Sequence, residues 1–296
     1  MEAAENQRPF AWQPLTPHGV SVFAGATAGR LWFVQFLVAT LAALLVVWFV
    51  NTDWFPTIRA AIERLPAQGS IQSSQLNWSG DSPLSLAESR FLALVVDLQH
   101  SGQMRSPAHL QVEFGKADIW VYSLFGRLEV PYPKGYVIRL NLEDLKPWWG
   151  AWAPAILAVA GLGMAAGLLV SWTALATLYC LPAWLLALYF NRKLSLGGSW
   201  KLAGAALIPG ALVLTAALGL YALGGMDVVH VLTAWVLHIL LGWGYVIMGV
   251  LARPKLQASL PPKHNPFLGA LAEPNQPAAN PPGSESSNPN PFSPKR

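Results

Sequence analysis

The sequence predicts a membrane protein: an α-helical bundle of about five transmembrane helices with a small α+β, mainly antiparallel-sheet domain inserted after the first helix. Three observations predict it. Hydrophobic residues make up 53% of the 296 and charged residues only 11%, against roughly 25% charged in an ordinary soluble domain. Long uncharged runs recur at 31–50, 150–190, 203–224 and 230–251. Between the first two runs, residues 51–149 carry charges of both signs among short apolar stretches, as an aqueous domain does.

The net charge of +4 does not point to nucleic acid, because the basic residues fall mostly at the ends of apolar runs, where lipid headgroups would meet them. Cys180 is the sole cysteine. It excludes an internal disulfide and any Cys-rich metal motif.

Residues 1–29, with Pro9, Pro14 and Pro17, read as an irregular N-terminal tail. The first helix covers 30–50. Gln35 and Thr40 are the only polar interruptions between Leu31 and Val50, and a run of that length crosses about 30 Å of hydrocarbon. Trp32 and Trp48 mark the interfaces. The run exceeds a signal-peptide core and no Ala-x-Ala site precedes Asn51-Thr52-Asp53, so it reads as a retained anchor.

In the 51–149 domain, apolar residues from Trp54 to Leu65 repeat at three and four residues, predicting an amphipathic helix with Asp53 as its N-cap. Six short runs rich in β-branched and aromatic residues follow, at 71–78, 91–98, 109–114, 119–122, 128–130 and 136–140. Asn141 is placed to cap a last short helix, Leu142–Lys146, leading to Trp148-Trp149.

Helices two to five fall in 150–252. The uncharged stretch from Gly150 to Phe190 would make a helix of about 60 Å, twice the hydrocarbon thickness. That length predicts a hairpin of two spans turning near Ser171-Trp172-Thr173. Residues 253–296, rich in Pro, Asn, Ser and Ala, predict a disordered tail. Its two Asn-Pro-Phe triplets, at 265–267 and 290–292, are read as products of that composition.

Two regions resemble a group of bacterial membrane proteins often labelled maltodextrin-utilisation proteins and distantly similar to the Yip family of vesicle-trafficking membrane proteins. One is the order of elements: an anchor, a β-containing domain with a strand ending Val95-Val96-Asp97, then a helix cluster. The other is Leu194 to Pro209, a polar loop leading into an apolar helix with one internal proline. The resemblance covers roughly 30–253 and implies an inner-membrane location with the domain outside the cytoplasm. It brings no catalytic residues.

Candidate sites are few. His238 lies inside a predicted span, where a histidine can relay protons or bind metal. No Asp, Glu, Lys or Arg shares the spans, and His230 lies about 80° away around the same helix, so the reading taken is a structural hydrogen bond to a neighbouring helix. Gly163 and Gly167 have the small-xxx-small spacing of close helix contacts, read as pairing within the chain. Pro209 and Gly210 interrupt the fourth predicted span, as broken helices do in transporters, and are read as one kinked helix. In the domain, Asp97, His100, His109 and Asp118 lack the spacing of a metal motif, and neither a Gly-x-Ser-x-Gly elbow nor His-Glu-x-x-His occurs. No catalytic residue, metal or cofactor is therefore expected. The expected partners are the bilayer and a membrane or envelope partner of the domain. A neutral-solute transporter or accessory subunit, and an intramembrane enzyme using His238, are the alternatives.

Topology sets two rules against each other. Arg30 and the resemblance place the N-terminus in the cytoplasm and the domain outside. Five spans would then leave Arg192, Lys193, Lys201, Arg253 and Lys255 outside, against the positive-inside rule. Five helices and an external domain are retained here. A single crossing by 150–190, or an inverted protein, would remove the conflict.

Overall fold

The computed structural model describes residues 12–256. A short helix α1 (Pro17–Phe23) precedes α2 (Ala28–Phe49), a π-helical turn (Val50–Trp54) and α3 (Phe55–Glu63). Eight strands follow: β1 (Gly69–Gln72), β2 (Gln75–Trp78), β3 (Leu84–Glu88), β4 (Leu92–Val96), β5 (Leu110–Phe114), β6 (Asp118–Ser123), β7 (Gly126–Pro131) and β8 (Ile138–Arg139). Helices α4 (Leu142–Tyr189), α5 (Leu196–Ala222) and α6 (Val228–Leu251) complete the described chain. Four helical segments are long and apolar enough to cross a membrane: Ala28–Glu63, Leu142–Tyr189, Leu196–Ala222 and Val228–Leu251.

The expected break at Asp53 does not occur. The Phe55 N–H bonds the Val50 carbonyl, five residues back, and Pro56 has no N–H to offer the next carbonyl. One extra residue is absorbed in the turn and the helix runs on. Asp53 is not a cap. Its carboxylate accepts from the Thr52 hydroxyl at 2.9 Å, and its carbonyl accepts from the Thr57 hydroxyl at 3.0 Å.

The predicted hairpin within 150–190 is overturned as well: α4 is one continuous helix. Ser171 and Thr173 are not turn residues, because their hydroxyls donate to the carbonyls of Leu168 and Leu169 at 2.9 and 2.7 Å. A hydroxyl satisfied by its own helix leaves no reason for the backbone to turn. Trp172 between them is buried. The length problem is solved at the other end. Asn141 caps α4 through the Asp144 N–H at 2.9 Å, as expected, but the helix starts inside the domain and its first turns pack on α3. Lys146 lies 3.8 Å from Glu63, the Trp149 and Phe55 rings are 4.8 Å apart, and Gly161 faces the Val47 side chain. Thus α4 descends antiparallel to the α3–α2 helix, and its first turns, from Leu142 to Trp149, pack on the core of the domain.

Helix α5 is the centre of the bundle. From Gly198 to Ala211 all but Trp200 and Lys201 are buried, most of them small. Small side chains let neighbouring backbones come close. The buried Gln35 of α2 donates from Nε2 to the Gly204 carbonyl at 3.2 Å, and a Cβ on Gly210 would collide with the His238 carbonyl of α6. Helix α5 passes through Pro209 without a break.

The N-terminal region is more ordered than expected. Thr16 caps α1 by accepting from the Gly19 N–H at 3.0 Å, and Val20 and Phe23 are fully buried against the bundle. Residues 253–256, read as the start of the tail, are held by backbone hydrogen bonds: Pro254 accepts from Lys193 and Leu256 donates to Asn191. Residues 1–11 and 257–296, with both Asn-Pro-Phe triplets, lie outside the described residues.

Four long helices in antiparallel succession put the ends into two groups. The domain and the turn 224–227 share one end, where Arg90 donates to the carbonyls of Gly224 and Met226 at 3.1 and 2.9 Å. Basic residues that flank the helices outside the domain, Arg30, Arg192, Lys193, Lys201, Arg253 and Lys255, lie at the other. Lys201 donates to the Ala26 carbonyl at 2.6 Å, Arg253 to the Ser21 carbonyl at 3.2 Å, and Arg192 to the Arg253 carbonyl at 2.7 Å.

The domain holds two sheets, ordered β2-β1-β8 and β3-β4-β5-β6-β7. The first is antiparallel; the second is mixed, because β4 and β5 run parallel. The run 71–78, read as one strand, is the hairpin β1–β2, turned by Ser73 and Ser74 at φ of 54° and 59°. Residues of both signs of burial alternate there, and the positive φ pair matches the twist of a two-residue hairpin. Strand β3 was missed, since Leu84-Ser85-Leu86-Ala87-Glu88 is short and poor in β-branched residues. Together α3, the start of α4 and both sheets enclose a core including Ile62, Leu76, Leu86, Val96 and Tyr132.

The two glycine sites separate by substitution. Gly210→Ala should lower the melting temperature of the purified protein, with an overpacking cost of about 1–3 kcal/mol. Gly163→Ala, whose Cβ would meet nothing within 4 Å, should leave it equal or higher, since alanine favours helix over glycine. Thermal unfolding followed by helical circular dichroism is the measurement. Equal melting of the two variants would contradict the close approach of α5 and α6.

Candidate functional site

Parallel strands need a crossover, and the link from β4 to β5, residues 97–109, has no helix to satisfy its backbone. Side chains do so instead. The buried Asp97 carboxylate accepts from the Ser101 hydroxyl at 2.7 Å and from the N–H groups of Gln99 and Gly102 at 3.3 Å. Gln111, on the buried face of β5, donates to the Met104 carbonyl and accepts from the Ser106 N–H, both at 2.9 Å.

His100, at φ 51°, is the centre of the link. Its Nδ1 donates to Glu113 at 2.6 Å and its Nε2 to Asp118 at 2.7 Å. The imidazole stacks on Trp120 with ring centres 3.6 Å apart, and Arg127 covers the indole at 4.0 Å. Gly115 is required beneath it, since a Cβ there would collide with the His100 ring. Burial disfavours the charge on His100, but the hydrogen bonds and negative charges of Glu113 and Asp118 prevail and raise its pKa above the ordinary 6.5. Asp118 and Asp97 move the other way: burial pushes them up, while hydrogen bonds from His100 and Trp120, and from Ser101 and backbone N–H groups, hold them below 3.8.

An imidazole with both ring nitrogens hydrogen-bonded to carboxylates has no free nitrogen for a metal or a substrate proton. The Ser101 hydroxyl donates to Asp97 rather than to His100, so no nucleophile–base pair forms here. Among the described residues no group of three or more His, Cys, Asp or Glu is placed to hold a metal ion. This cluster is an ionic staple on the crossover. Of the four residues singled out in the sequence, it joins His100 and Asp118, keeps Asp97 in the same link and leaves His109 elsewhere. Glu113 and Gln111 were missed. Their signal was a polar residue at each inward position of β5, between inward-facing apolar neighbours in adjacent strands.

His109 belongs to a second site, where the domain meets the helices. Its Nδ1 and the Tyr221 hydroxyl share a hydrogen bond at 2.5 Å, and the two rings stack at 5.3 Å. Burial, aided by Arg90, lowers the His109 pKa. Phe91 packs on Phe49 and on Tyr221, each at 5.0 Å between ring centres. With the two Arg90 hydrogen bonds, these contacts tie β4 and β5 to α2 and to the α5–α6 turn.

Among the apolar helices, His238 bonds its own helix, Nδ1 to the Trp235 carbonyl, and not a neighbouring one as expected. It lines a groove of about 340 Å³ with Met164, Ser171, Tyr179 and Thr215, and no Asp, Glu, Lys or Arg contributes to that lining. Gly210 does meet His238, through the backbone. Gly163 and Gly167 meet no other helix: both are exposed, and a Cβ on either would touch nothing within 4 Å. Pairing of that face within the chain is therefore corrected. The helices nearest α4 lie on its other side, against Trp172, Ala176 and Tyr179.

The class defined is a bundle with four helices long enough to cross a membrane, joined to a small mixed-sheet domain. No family model, curated protein or solved structure matches the chain. The resemblance drawn from element order and the Leu194 to Pro209 segment stands on pattern alone.

The staple has a pH signature. The stability supplied by His100 is complete below its unfolded pKa of about 6.5 and is lost as pH rises through the higher folded value. The part supplied by Asp97 and Asp118 is complete above about 3.8 and is lost as pH falls through their lower folded values. Domain melting should therefore be highest between these limits. His100→Gln should flatten the decline on the alkaline side while leaving the acid limb attached to Asp97. An unchanged alkaline decline in the variant would remove His100 as its cause.

Proposed function

We propose that this is a non-enzymatic, multi-pass protein of the bacterial inner membrane whose domain lies outside the cytoplasm and binds a partner or registers the state of the envelope. The observation that carries the reading is the clamp of Arg90, Phe91 and His109 on Tyr221 and the 224–227 turn. A domain merely tethered by α2 and α4 would not need it. A ligand that shifts β4 or β5 has a direct mechanical path to α5 and α6, because the same strands carry the clamp and the stapled crossover.

Four crossings support the sidedness. With α4 crossing once, Arg192, Lys193, Lys201, Arg253 and Lys255 join Arg30 at one end of the bundle, and the positive-inside rule then assigns that end to the cytoplasm. The domain and the 224–227 turn fall on the opposite side. The resemblance to the maltodextrin-utilisation group agrees with this sidedness but adds no activity.

In a Cys180→Ser background, Phe125→Cys should be alkylated in intact cells by a membrane-impermeant maleimide, and Gly197→Cys only after lysis. Phe125 is 83% exposed and Gly197 has open space for a side chain, so both report accessibility rather than burial. The reverse pattern would invert the protein and end the extracytoplasmic reading. Arg90→Ala tests the clamp separately: amide exchange at 224–227 should rise while the β-sheet amides of the domain stay protected. Unchanged exchange at the turn would show that the clamp does not couple the domain to the helices.

A further inference from the structure

Along the α4 and α3–α2 pair, polarity changes at different heights. On α2–α3 the apolar run ends at Asn51-Thr52-Asp53. The facing stretch of α4 lies between Trp149, which meets Phe55, and Gly161, which meets Val47. It contains no polar side chain other than the Trp152 indole, and it exposes Trp152, Ala155 and Val159. An apolar path on α4 thus continues past the level at which its partner helix has become polar.

That path ends at an opening. Gly150, Ala153 and Pro154 form one wall of a recess of about 400 Å³ whose rim carries Arg59, Lys146 and Glu63. Ile62 and Trp149 line this recess and also an inner cavity of about 230 Å³. The inner cavity reaches Ala61, Leu86, Leu94 and Phe114, and every lining residue is apolar apart from the indoles of Trp148 and Trp149. It is an apolar cleft on the core of the domain, open to the outside as the recess is, and its walls give water little to bond.

We propose that this paired recess and cavity bind a phospholipid drawn from the bilayer: one acyl chain in the apolar cavity and an anionic headgroup phosphate at Arg59 and Lys146. The chemistry of each part fits. An apolar cavity selects a hydrocarbon chain, and the two cations outnumber Glu63 at the rim. The source is the bilayer because the mouth opens on α4 where its uncharged surface continues down into the apolar bundle. This deepens the reading of the domain as a binding module by naming its ligand class.

The test uses the full-length protein in vesicles of phosphatidylcholine with phosphatidylglycerol carrying a photoreactive group near the acyl terminus, followed by peptide mapping. Labelling of β3 and β4 near Leu86 and Leu94 is expected, besides labelling of α4 at Leu162 to Val170. Ala61→Phe, which fills the cavity, should cut the β3–β4 labelling about tenfold and leave the α4 labelling unchanged. Leu86→Phe, from the opposite wall, must repeat this if Ala61→Phe fails to melt cooperatively. Arg59→Gln with Lys146→Gln should abolish the preference for phosphatidylglycerol over a phosphatidylcholine probe. The proposal is overturned if only the apolar helices are labelled, or if both filled variants label like the parent. It is equally overturned if a photoreactive free fatty acid labels the cavity and the phospholipid does not. Arg90→Ala should label as the parent does, so failure of the clamp and failure of lipid binding are told apart.

Discussion

Backbone amides and carbonyls in an apolar medium have no water to bond, so a chain that enters one must keep its hydrogen-bond ladder closed until it leaves. The continuity of α4 from Leu142 to Tyr189, kept although Pro147, Pro154 and Pro182 each remove one N–H from its ladder, is the constraint from which the rest of the arrangement follows. With no turn at Ser171, α4 runs the whole way from the domain to Arg192 and Lys193. The direction of α5 and α6 is then set by short connections, and the basic ends collect together. One extra turn in α4 would have reversed every later helix and separated Arg90 from the 224–227 turn it holds.

Helix α5 shows how that bundle packs without large side chains. Its buried positions are mostly Ala and Gly, and their cohesion comes from close backbone approach rather than from filling a wide core. Gly204 admits the Leu31 and Gln35 side chains of α2, and Gly210 admits the backbone of α6 at His238. Intramembrane-type polarity is correspondingly local: Gln35 bonds across helices, whereas His238, Thr215 and Ser171 bond within their own.

The domain solves a different problem with charge. A parallel β4–β5 connection without a helix leaves backbone groups to be satisfied in a link that also has to stay folded against the sheet. Asp97 and Gln111 take up those groups, and the Glu113–His100–Asp118 bridge pins the link to β5 and β6. Glu113 is almost wholly buried, and a buried polar group needs hydrogen-bond partners, which His100 and Gln111 supply. The raised pKa of His100 and the lowered pKa of Asp118 express the same mutual stabilisation.

Local chemistry determined much of this in the sequence alone. The apolar runs, the Asn141 cap, most of the strands and the interruption by an aqueous domain were legible, because each depends on residues within a few positions of one another. What tertiary structure alone decided were the long-range choices. Whether 150–190 forms one helix or a hairpin depends on α4 beginning in the domain against α3, which composition cannot show. That Gly210 is a contact while Gly163 and Gly167 are not depends on which face α6 and α5 occupy. The meeting of His100 with Glu113 and Asp118 depends on a parallel pairing that brings residues 13 and 18 positions apart onto one ring, and the cavity beside Trp149 on how the five-stranded sheet, α3 and α4 meet around Ala61. Period and capping are encoded by neighbours in the chain. Which faces meet is a property of the whole packed assembly.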